Sequence, residues 1–351
     1  MSFVKNNDVK IAGISCVVPD NPIKVDDLGA PYFQQDVIDR IRKSVGTDTL
    51  YFTSEDQGSG DLGIAAAEDL IQALGWTRDS IDGLIFVSQT PDYVVPPTSC
   101  RLQDELGLPG NIFVMDTNYG CPGYAASLMF ATQLIQTGMC ERLLLVCAEC
   151  HSKYISRKDE ATALIFGDAG GATALEKCDG AGESFFKTVC DGSYAEQLVL
   201  GAYKSPQNPN ISDHKHTYMD GETLTKFMFR EIPSFCTDFL DKVGVKLDEI
   251  DSLLFHQANA YMIRYLCRRI KADLSRASIN IENYGNTSAV SIPLLICDKK
   301  KDLFIKNNIT EKTKTEKTLI LSFGAGYIIS GAVIDLGNLK GGQIRHITGG
   351  N

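Results

Sequence analysis

Positive charge, tryptophan and long apolar runs are all scarce in this chain of 351 residues. Lysine and arginine together number 34 against 44 acidic residues, and the resulting net charge of −10 disfavours a nucleic-acid-binding surface. No apolar run reaches the roughly 20 residues that a membrane-spanning helix needs. The polar segment from Met1 to Asp8 lacks the apolar core of a secretory signal. We therefore expect a cytoplasmic protein that binds neither nucleic acid nor a membrane.

Cysteine, by contrast, is plentiful. The chain has eleven cysteines, an odd number that lie mostly in apolar runs, which predicts reduced thiols rather than a disulfide framework.

Hydrophobic residues make up 44% and charged residues 22%, as in an ordinary globular protein. Because the chain is long for a single core, we expect two halves, an N-terminal one over 1–180 and a C-terminal one over 181–351.

A repeated segment indicates how the two halves are related. The tripeptide Asn-Tyr-Gly occurs twice, once directly before Cys121 and once directly before Asn286. Apolar strand-like runs flank both copies, at 81–86 and 143–146 around the first and at 250–255 and 319–322 around the second. One βα unit has therefore been used twice, with different polar groups at equivalent turns.

Helical periodicity alternates with short apolar strands along most of the chain, which predicts an α/β fold with buried parallel strands. The predicted helices lie near 35–45 and at 62–74, 98–107, 122–137 and 222–243, and the predicted strands at 9–18, 82–88, 111–116, 142–148 and 251–255. The glycine-rich segment Gly167–Ala172 is expected to form a hairpin.

Cys121 is a candidate nucleophile because of the residue that follows it. Pro122 is suited to the first position of a helix, where its missing N–H group would have no partner. The thiol would then lie at a helix N-terminus, where the helix dipole stabilises a thiolate. A buried structural cysteine is the alternative, and the repeat favours the nucleophile.

His256 and Asn286 are the candidate partners of that thiol. His256 follows an apolar strand, and the carboxyl edge of a parallel sheet is where α/β proteins place ligands and catalytic groups. A structural histidine and a helix-capping asparagine are the alternatives. The repeat favours a shared site, since it makes Asn286 the equivalent of Cys121.

The segment His256-Gln257-Ala258-Asn259, followed by Gly285-Asn286-Thr287-Ser288-Ala289-Val290-Ser291-Ile292-Pro293, resembles the β-ketoacyl-acyl-carrier-protein synthase III family. The stretches 166–172 and 323–326 also match that family's hairpin and glycine-rich loop. The resemblance covers nearly the whole chain. It implies an α/β thiolase-like fold, with duplicated halves in five layers α-β-α-β-α, and assembly as a homodimer.

The resemblance also implies an acyltransferase of fatty acid biosynthesis. Cys121 would accept an acyl group from a thioester, and a decarboxylative Claisen condensation with a malonyl thioester would follow. His256 and Asn286 would donate hydrogen bonds to the enolate, while the backbone N–H groups of Cys121 and Ala325 would form the oxyanion hole. The implied partners are acyl carrier protein and acyl-coenzyme A or another acyl thioester, and no cofactor or metal is expected.

One departure from the family concerns the acyl donor. Members that use acetyl-coenzyme A hold the adenine between a tryptophan and an arginine. No tryptophan lies in the corresponding region 43–57, and Glu160 falls where the arginine is expected. This departure favours a donor other than acetyl-coenzyme A, either carrier-bound or specialised.

A basic cluster stands out against the acidic total: Arg264, Arg268, Arg269 and Lys271. Arg264, Arg268 and Lys271 fall on one side of the predicted helix that follows His256. Acyl carrier proteins are acidic, so this cluster is the predicted docking site for the carrier protein. A solvated helix face is the equally simple alternative.

Three other functions are weighed against this interpretation. The spacing Cys147-Ala148-Glu149-Cys150-His151 is that of a covalently attached haem, although an apolar strand leads directly into it. A non-condensing acyltransferase of the same fold would use the same three site residues to acylate an oxygen, nitrogen or carbon nucleophile. A non-catalytic partner subunit is disfavoured because all three residues are present.

Overall fold

Two β-sheets lie face to face, with helices between them and on both outer sides. The structure is a computed structural model that describes residues 3–201, 207–208, 210–211, 215–304 and 315–349. The strands are β1 (Val4–Asn6), β2 (Val9–Pro19), β3 (Pro22–Lys24), β4 (Thr49–Tyr51), β5 (Gly83–Val87), β6 (Phe113–Thr117), β7 (Arg142–Glu149), β8 (Ala169–Lys177), β9 (Ser184–Cys190), β10 (Leu198–Val199), β11 (Tyr218–Met219), β12 (Ser252–Phe255), β13 (Lys317–Gly324), β14 (Ile328–Asp335) and β15 (Lys340–Ile347). The helices are α1 (Val25–Gly29), α2 (Gln35–Val45), α3 (Ser59–Leu74), α4 (Thr98–Glu105), α5 (Gly123–Gln136), α6 (Gly221–Val243), α7 (Ala260–Arg269), α8 (Ile281–Tyr284) and α9 (Ser291–Lys299).

The two large sheets repeat one arrangement of strands. The first has the order β15-β2-β8-β7-β5-β6 and the second the order β1-β9-β14-β13-β12. In the first, β8 is antiparallel to both β2 and β7, and β7 is parallel to β5. In the second, β14 is antiparallel to both β9 and β13, and β13 is parallel to β12. The predicted duplication is therefore confirmed, with β5 equivalent to β12 and β7 to β13.

Hydrophobic cores on both faces of each large sheet separate five layers. Helices α3 and α4 pack on the outer face of the first sheet, and α6 and α7 pack on the outer face of the second. Helices α5 and α9 lie between the sheets and contribute to a core shared by both halves. Because α5 is covered on both sides, it is apolar around most of its circumference. The five-layer α-β-α-β-α arrangement is the one that the resemblance implied.

Two details of the sequence prediction were wrong. The sheets are mixed rather than purely parallel. The expected hairpin at Gly167–Ala172 is instead mostly the first part of strand β8. A Cβ atom on Gly170 would lie 2.4 Å from the Leu62 carbonyl oxygen of α3, so this glycine serves the close packing of a helix on the sheet.

The two ends of the described chain lie in opposite sheets. Strand β1 pairs with β9 in the second sheet, and β15 pairs with β2 in the first. The predicted boundary at 180 falls in the connection between β8 and β9. The division into 1–180 and 181–351 stays a prediction.

Across the described ranges, no helix combines the length and the apolar character needed to cross a bilayer. All eleven cysteines are unpaired.

Candidate active site

A tight turn places Cys121 just before helix α5. Gly120 has a positive φ of 55°, and the N–H group of Gly123 donates to the Gly120 carbonyl over 2.7 Å. Pro122 is the N-cap residue of α5, and Cys121 precedes it. The sulfur therefore lies at the N-terminus of a buried helix, and Cys121 is only 6% exposed.

Burial dominates the electrostatics of the thiol. It raises the pKa of Cys121 to about 12, although a hydrogen bond with Ser288 acts in the opposite direction. The negative charge of Glu149 raises that pKa further. With its pKa raised by burial, the resting thiol is protonated near neutral pH, and a thiolate must be produced as the reaction begins.

His256 is held at the end of strand β12. Its backbone N–H donates to the Leu321 carbonyl over 2.9 Å and so continues the pairing of β12 with β13. Its Nδ1 atom lies 2.7 Å from Ser291 Oγ, and its ring meets Phe323 edge to face at 5.5 Å. Burial lowers the pKa of His256 to about 3, so the imidazole is neutral at physiological pH.

The residue before Asn286 has no room for a side chain. Gly285 has a φ of 70°, and a Cβ atom there would lie 2.6 Å from the Ile165 carbonyl oxygen. The Asn286 N–H donates to that same carbonyl over 2.8 Å. The side-chain Oδ1 accepts from the Ser288 N–H over 2.9 Å, which leaves the amide NH₂ group free to donate elsewhere.

The structure brings all three predicted residues to one cavity of about 390 Å³. Strand β13 approaches closely there, since a Cβ atom on Gly324 would lie only 2.5 Å from Cys121 Cβ. The rest of the wall is mainly apolar and comes from α2, α6, α7, β13 and the segments before β8 and α7: Ile41, Val45, Ala161, Ile165, Phe166, Leu224, Met228, Ala258, Met262 and Phe323. Such a wall suits an acyl chain.

Ala325 directly follows Gly324, which lines the cavity, in a 3₁₀ turn spanning Ala325–Tyr327. Positive φ values occur at Gly326 and Tyr327 but not at Ala325, so alanine fits there without backbone strain. The oxyanion-hole role of Cys121 and Ala325 stays a prediction.

The predicted docking residues lie on and after helix α7. Arg264, Arg268 and Arg269 are exposed on α7, and Lys271 is exposed just beyond its end. The same helix begins at the cavity, where Asn259 and Met262 line the wall. A basic surface therefore lies next to the cavity, although its function stays a prediction.

Sequence reasoning missed two further polar residues that affect the Cys121 thiol. Ser288 was quoted only as part of the family motif, and its Oγ lies 3.6 Å from Cys121 Sγ. Glu149 was noticed only within the haem-like spacing. It is fully buried, and the Gln89 N–H and Thr90 Oγ1 donate to it over 3.1 and 3.0 Å. A charged residue at the end of an apolar strand was the available signal.

The haem interpretation does not fit the structure. Cys147 faces the core between the two sheets, whereas Cys150 belongs to the core beneath α3. Two sulfurs on opposite faces of a sheet cannot attach the same macrocycle. In the part of the chain that the structure describes, no three histidine, cysteine, aspartate or glutamate side chains are grouped to hold a metal ion.

Comparison with known proteins identifies the class. The model of 3-oxoacyl-[acyl-carrier-protein] synthase III matches residues 115–193, and the model of that family's C-terminal part matches residues 240–336. The chain is 30% identical to the β-ketoacyl-[acyl-carrier-protein] synthase III of Lactococcus lactis over 333 residues, which cover 93% of this chain and 99% of that protein. A Clostridium perfringens protein of the same name is 28% identical over 335 residues, covering 94% and 99% of the two chains.

A solved structure agrees with these relatives. The 3-oxoacyl-(acyl-carrier-protein) synthase of Burkholderia xenovorans LB400 superposes with a TM-score of 0.92 at 33% identity, over 99% of both chains. Fold and similarity together define a thiolase-like acyltransferase of the condensing type. Within that class, the chain belongs to the β-ketoacyl-acyl-carrier-protein synthase III family.

We predict that Glu149→Gln changes the pH dependence of stability. Burial raises the pKa of Glu149 from 4.5 to about 7, so between these values the unfolded chain loses a proton that the folded protein keeps. The wild-type free energy of unfolding therefore falls as pH rises through this window, by roughly 3 kcal/mol in total. The variant lacks this loss, so denaturant unfolding should show its advantage growing across the window. A difference that is constant with pH would contradict this prediction.

Proposed function

We propose that this protein loads an acyl group on Cys121 and then condenses it with a malonyl thioester, with loss of carbon dioxide. The observation that carries the proposal is the convergence of Cys121, His256 and Asn286 on one mainly apolar cavity. A thiol exchanges acyl groups with thioesters at little free-energy change, so loading needs no energy source. The product would be a β-ketoacyl thioester that enters fatty acid biosynthesis.

Acyl loading requires a stabilised tetrahedral intermediate. When the thiolate attacks the donor carbonyl, negative charge develops on the carbonyl oxygen. The backbone N–H groups of Cys121 and Ala325 are the proposed donors to that oxygen, and a single such donor contributes roughly 3–4 kcal/mol. Because the site is buried, water does not compete strongly for these donors.

Decarboxylation requires donors to an enolate oxygen. The neutral imidazole of His256 and the amide NH₂ group of Asn286 can provide them without placing another negative charge beside the developing one. Apolar walls also favour the loss of a malonyl carboxylate as uncharged carbon dioxide. The enolate carbon would then attack the acyl group on Cys121.

The cavity mouth supports a donor recognised without an adenine clamp. Arg40 of α2 and Glu160 both line the cavity and form an ion pair with each other. Trp76 instead packs against Arg142, whose guanidinium lies 4.9 Å from its ring. An ion pair at the position of the expected arginine disfavours adenine stacking, and this supports acyl carrier protein as the donor or acceptor.

An apolar surface supports a homodimer. Tyr93, Val94 and Val95 are 53%, 76% and 82% exposed in the single chain. Tyr119 and Phe130 line the same surface concavity as Tyr93 and Val94. Exposed apolar groups of this kind mark interaction sites. A second copy of the chain is the occupant that we propose.

Replacing Cys121 tests the nucleophile. We expect wild-type protein incubated with acyl thioesters to gain one acyl mass, and Cys121→Ala to gain none, because no other thiol opens into the cavity among the residues that the structure describes. Intact-protein mass spectrometry measures this directly. Cys100→Ala, which removes an exposed thiol on α4, is the control and should still be acylated. Acylation of the Cys121 variant would refute the assignment.

Replacing Asn286 separates the two half-reactions. Asn286→Ala should lower carbon dioxide release from a malonyl thioester by about 10²–10³-fold, because one enolate donor is lost. Acylation of Cys121 should change only a few-fold. Asn286→Asp keeps an acceptor for the Ser288 N–H but removes the NH₂ donors, so it should be equally impaired in decarboxylation. Equal losses in both half-reactions would count against the enolate role.

Reversing the charge of Arg264 and Arg268 tests carrier docking. The double change to glutamate should raise the apparent KM for a carrier-bound substrate by at least about tenfold, because the carrier is acidic. The KM for a small pantetheine thioester should stay the same. Lys242→Glu makes a similar change in the last turn of α6 and is the control. An unchanged KM for the carrier-bound substrate would remove the docking proposal.

A further inference from the structure

The loop between strands β13 and β14 has a tyrosine where a hairpin loop normally has glycine. Gly324 pairs with Ile328 across the two antiparallel strands, so the β13–β14 loop consists of residues 325–327. Gly326 has a φ of 73° and Tyr327 a φ of 51°, and both lie in the left-handed region. Short hairpin loops usually place glycine in that conformation, because a side chain there is strained. Tyr327 therefore carries backbone strain that a glycine in its place would avoid.

The Tyr327 ring packs between two other aromatic rings in the outer core of the second sheet. It stacks on Tyr194 at 4.5 Å with 17° between the ring planes, and it meets Phe227 edge to face at 4.2 Å. Phe227 belongs to helix α6, and Tyr194 to the 3₁₀ turn Gly192–Gln197. Tyr327 is only 1% exposed, and ring pairs of this kind stabilise a structure beyond the area that they bury. The packing of this aromatic cluster holds the strained residue in place.

The ring of Tyr327, and not its hydroxyl group, explains the residue. The phenol oxygen is buried, and no residue in the described part of the chain forms a hydrogen bond with it. A buried hydroxyl without a partner destabilises a folded protein. A phenylalanine would therefore pack as well as the tyrosine does.

Two hydrogen bonds also fix the backbone of the β13–β14 loop. The Asp191 N–H group donates to the Tyr327 carbonyl over 3.3 Å, and Cys190 Sγ donates to the Gly326 carbonyl over 3.3 Å. Cys190 is the last residue of strand β9, which pairs with β14. The loop is thus attached both through its backbone and through the Tyr327 ring.

The start of the same loop meets the reactive sulfur. A Cβ atom on Gly324 would lie 2.5 Å from Cys121 Cβ and 3.3 Å from Cys121 Sγ. The next residue, Ala325, carries one of the two N–H groups proposed above for the oxyanion hole. Such a donor is effective only where it matches the position of the developing charge, and a displacement of about 1 Å can lower a rate by roughly 10²-fold. Whatever fixes this loop therefore fixes a proposed catalytic donor.

We propose that Tyr327 is a positioning residue for acyl loading. Its ring anchors the β13–β14 loop, so that the Ala325 N–H group stays directed at the carbonyl oxygen of the bound thioester. This inference rests on the acyl-loading function proposed above. Tyr327 is not among the residues that line the cavity, so it acts through the loop.

The step that depends on this anchor is the formation of the tetrahedral intermediate. The Cys121 thiolate forms a bond to the carbonyl carbon, and the π electron pair of the carbonyl group moves onto its oxygen. The N–H groups of Cys121 and Ala325 stabilise that charge. The carbonyl group then re-forms, the carbon–sulfur bond of the donor breaks, and the departing thiolate takes a proton from water.

Two reactions of the same sulfur separate positioning from stability. Acylation by a thioester places negative charge on a carbonyl oxygen, whereas alkylation by iodoacetamide displaces iodide and places none there. We expect Tyr327→Ala to slow acylation at saturating thioester by at least about tenfold, and to change the half-saturating concentration by less than about threefold. Alkylation should stay within about threefold of wild type. Intact-protein mass spectrometry follows both rates, with the acetyl, butyryl and octanoyl thioesters of N-acetylcysteamine as probes.

Three further variants isolate the contribution of the ring. Tyr327→Phe keeps the ring and should acylate like wild type. Tyr327→Gly removes the ring together with the backbone strain, so it should also acylate slowly, and it serves as the test if Tyr327→Ala does not fold. Phe227→Leu weakens the aromatic cluster from α6 and should slow acylation by a smaller factor. Combined with Tyr327→Ala, it should add no further slowing, because the contact is already lost.

Phe239→Leu is the matched control for the loss of a buried ring. Phe239 is fully buried on α6 in the same core, and its Cδ1 atom lies 3.2 Å from where a Cβ atom on Gly331 would be, within β14 and not at the loop. This variant should keep the wild-type rates of acylation and alkylation. Slow acylation in it would assign the effect to a loosened core and overturn the proposal.

The remaining outcomes are equally decisive. Wild-type acylation in Tyr327→Gly would overturn the anchoring role, and so would equal slowing of acylation and alkylation in either variant that lacks the ring. Slow acylation in Tyr327→Phe would assign the effect to the hydroxyl group and also overturn it. If iodoacetamide alkylates wild-type Cys121 but none of the three thioesters acylates it, the acyl-loading function itself fails, and this inference fails with it.

Discussion

The burial of the Cys121 sulfur is the constraint on which the rest of the site depends. Removing a thiol from water makes its ionisation costly and raises its pKa to about 12. The same exclusion of water strengthens every nearby dipole and hydrogen bond. The N-terminus of α5 can therefore stabilise a thiolate effectively once it forms. What the site then needs is a route by which the proton leaves the sulfur.

The duplicated architecture provides the convergence. Cys121 directly precedes the start of α5 in one half, and Asn286 lies shortly before α9 in the other, while His256 follows β12. Helices α5 and α9 lie together between the sheets, so the turns that precede them meet. Close approach is possible because glycines occupy the contact positions: Gly285 admits the Ile165 carbonyl, and Gly324 admits Cys121. A side chain at either position would push the reactive groups apart.

Charge is restricted to few places within the site. His256 is neutral because it is buried, and the surrounding cavity is mainly apolar. Glu149 is the buried carboxylate whose charge raises the pKa of the thiol, and burial raises the pKa of Glu149 itself to about 7. Charged groups such as Arg40 and Glu160 lie at the mouth instead, where they are partly exposed and pair with each other. This separation suits a reaction in which an acyl chain enters and a carboxylate is lost.

Much of this molecule was determined by local sequence. The alternation of strands and helices, the helix start after Cys121 and the position of His256 after a strand follow from hydrophobic periodicity and proline chemistry, and the Asn-Tyr-Gly repeat indicated that Cys121 and Asn286 are equivalent. Tertiary structure alone decided that Gly170 lies within a strand under α3. A glycine is needed there because the Leu62 backbone packs closely against it, and not because the chain turns. Tertiary structure also decided that Ser288 Oγ lies 3.6 Å from Cys121 Sγ. The pKa of a buried group depends on neighbours brought together from distant parts of the chain, and no local pattern in the sequence records them.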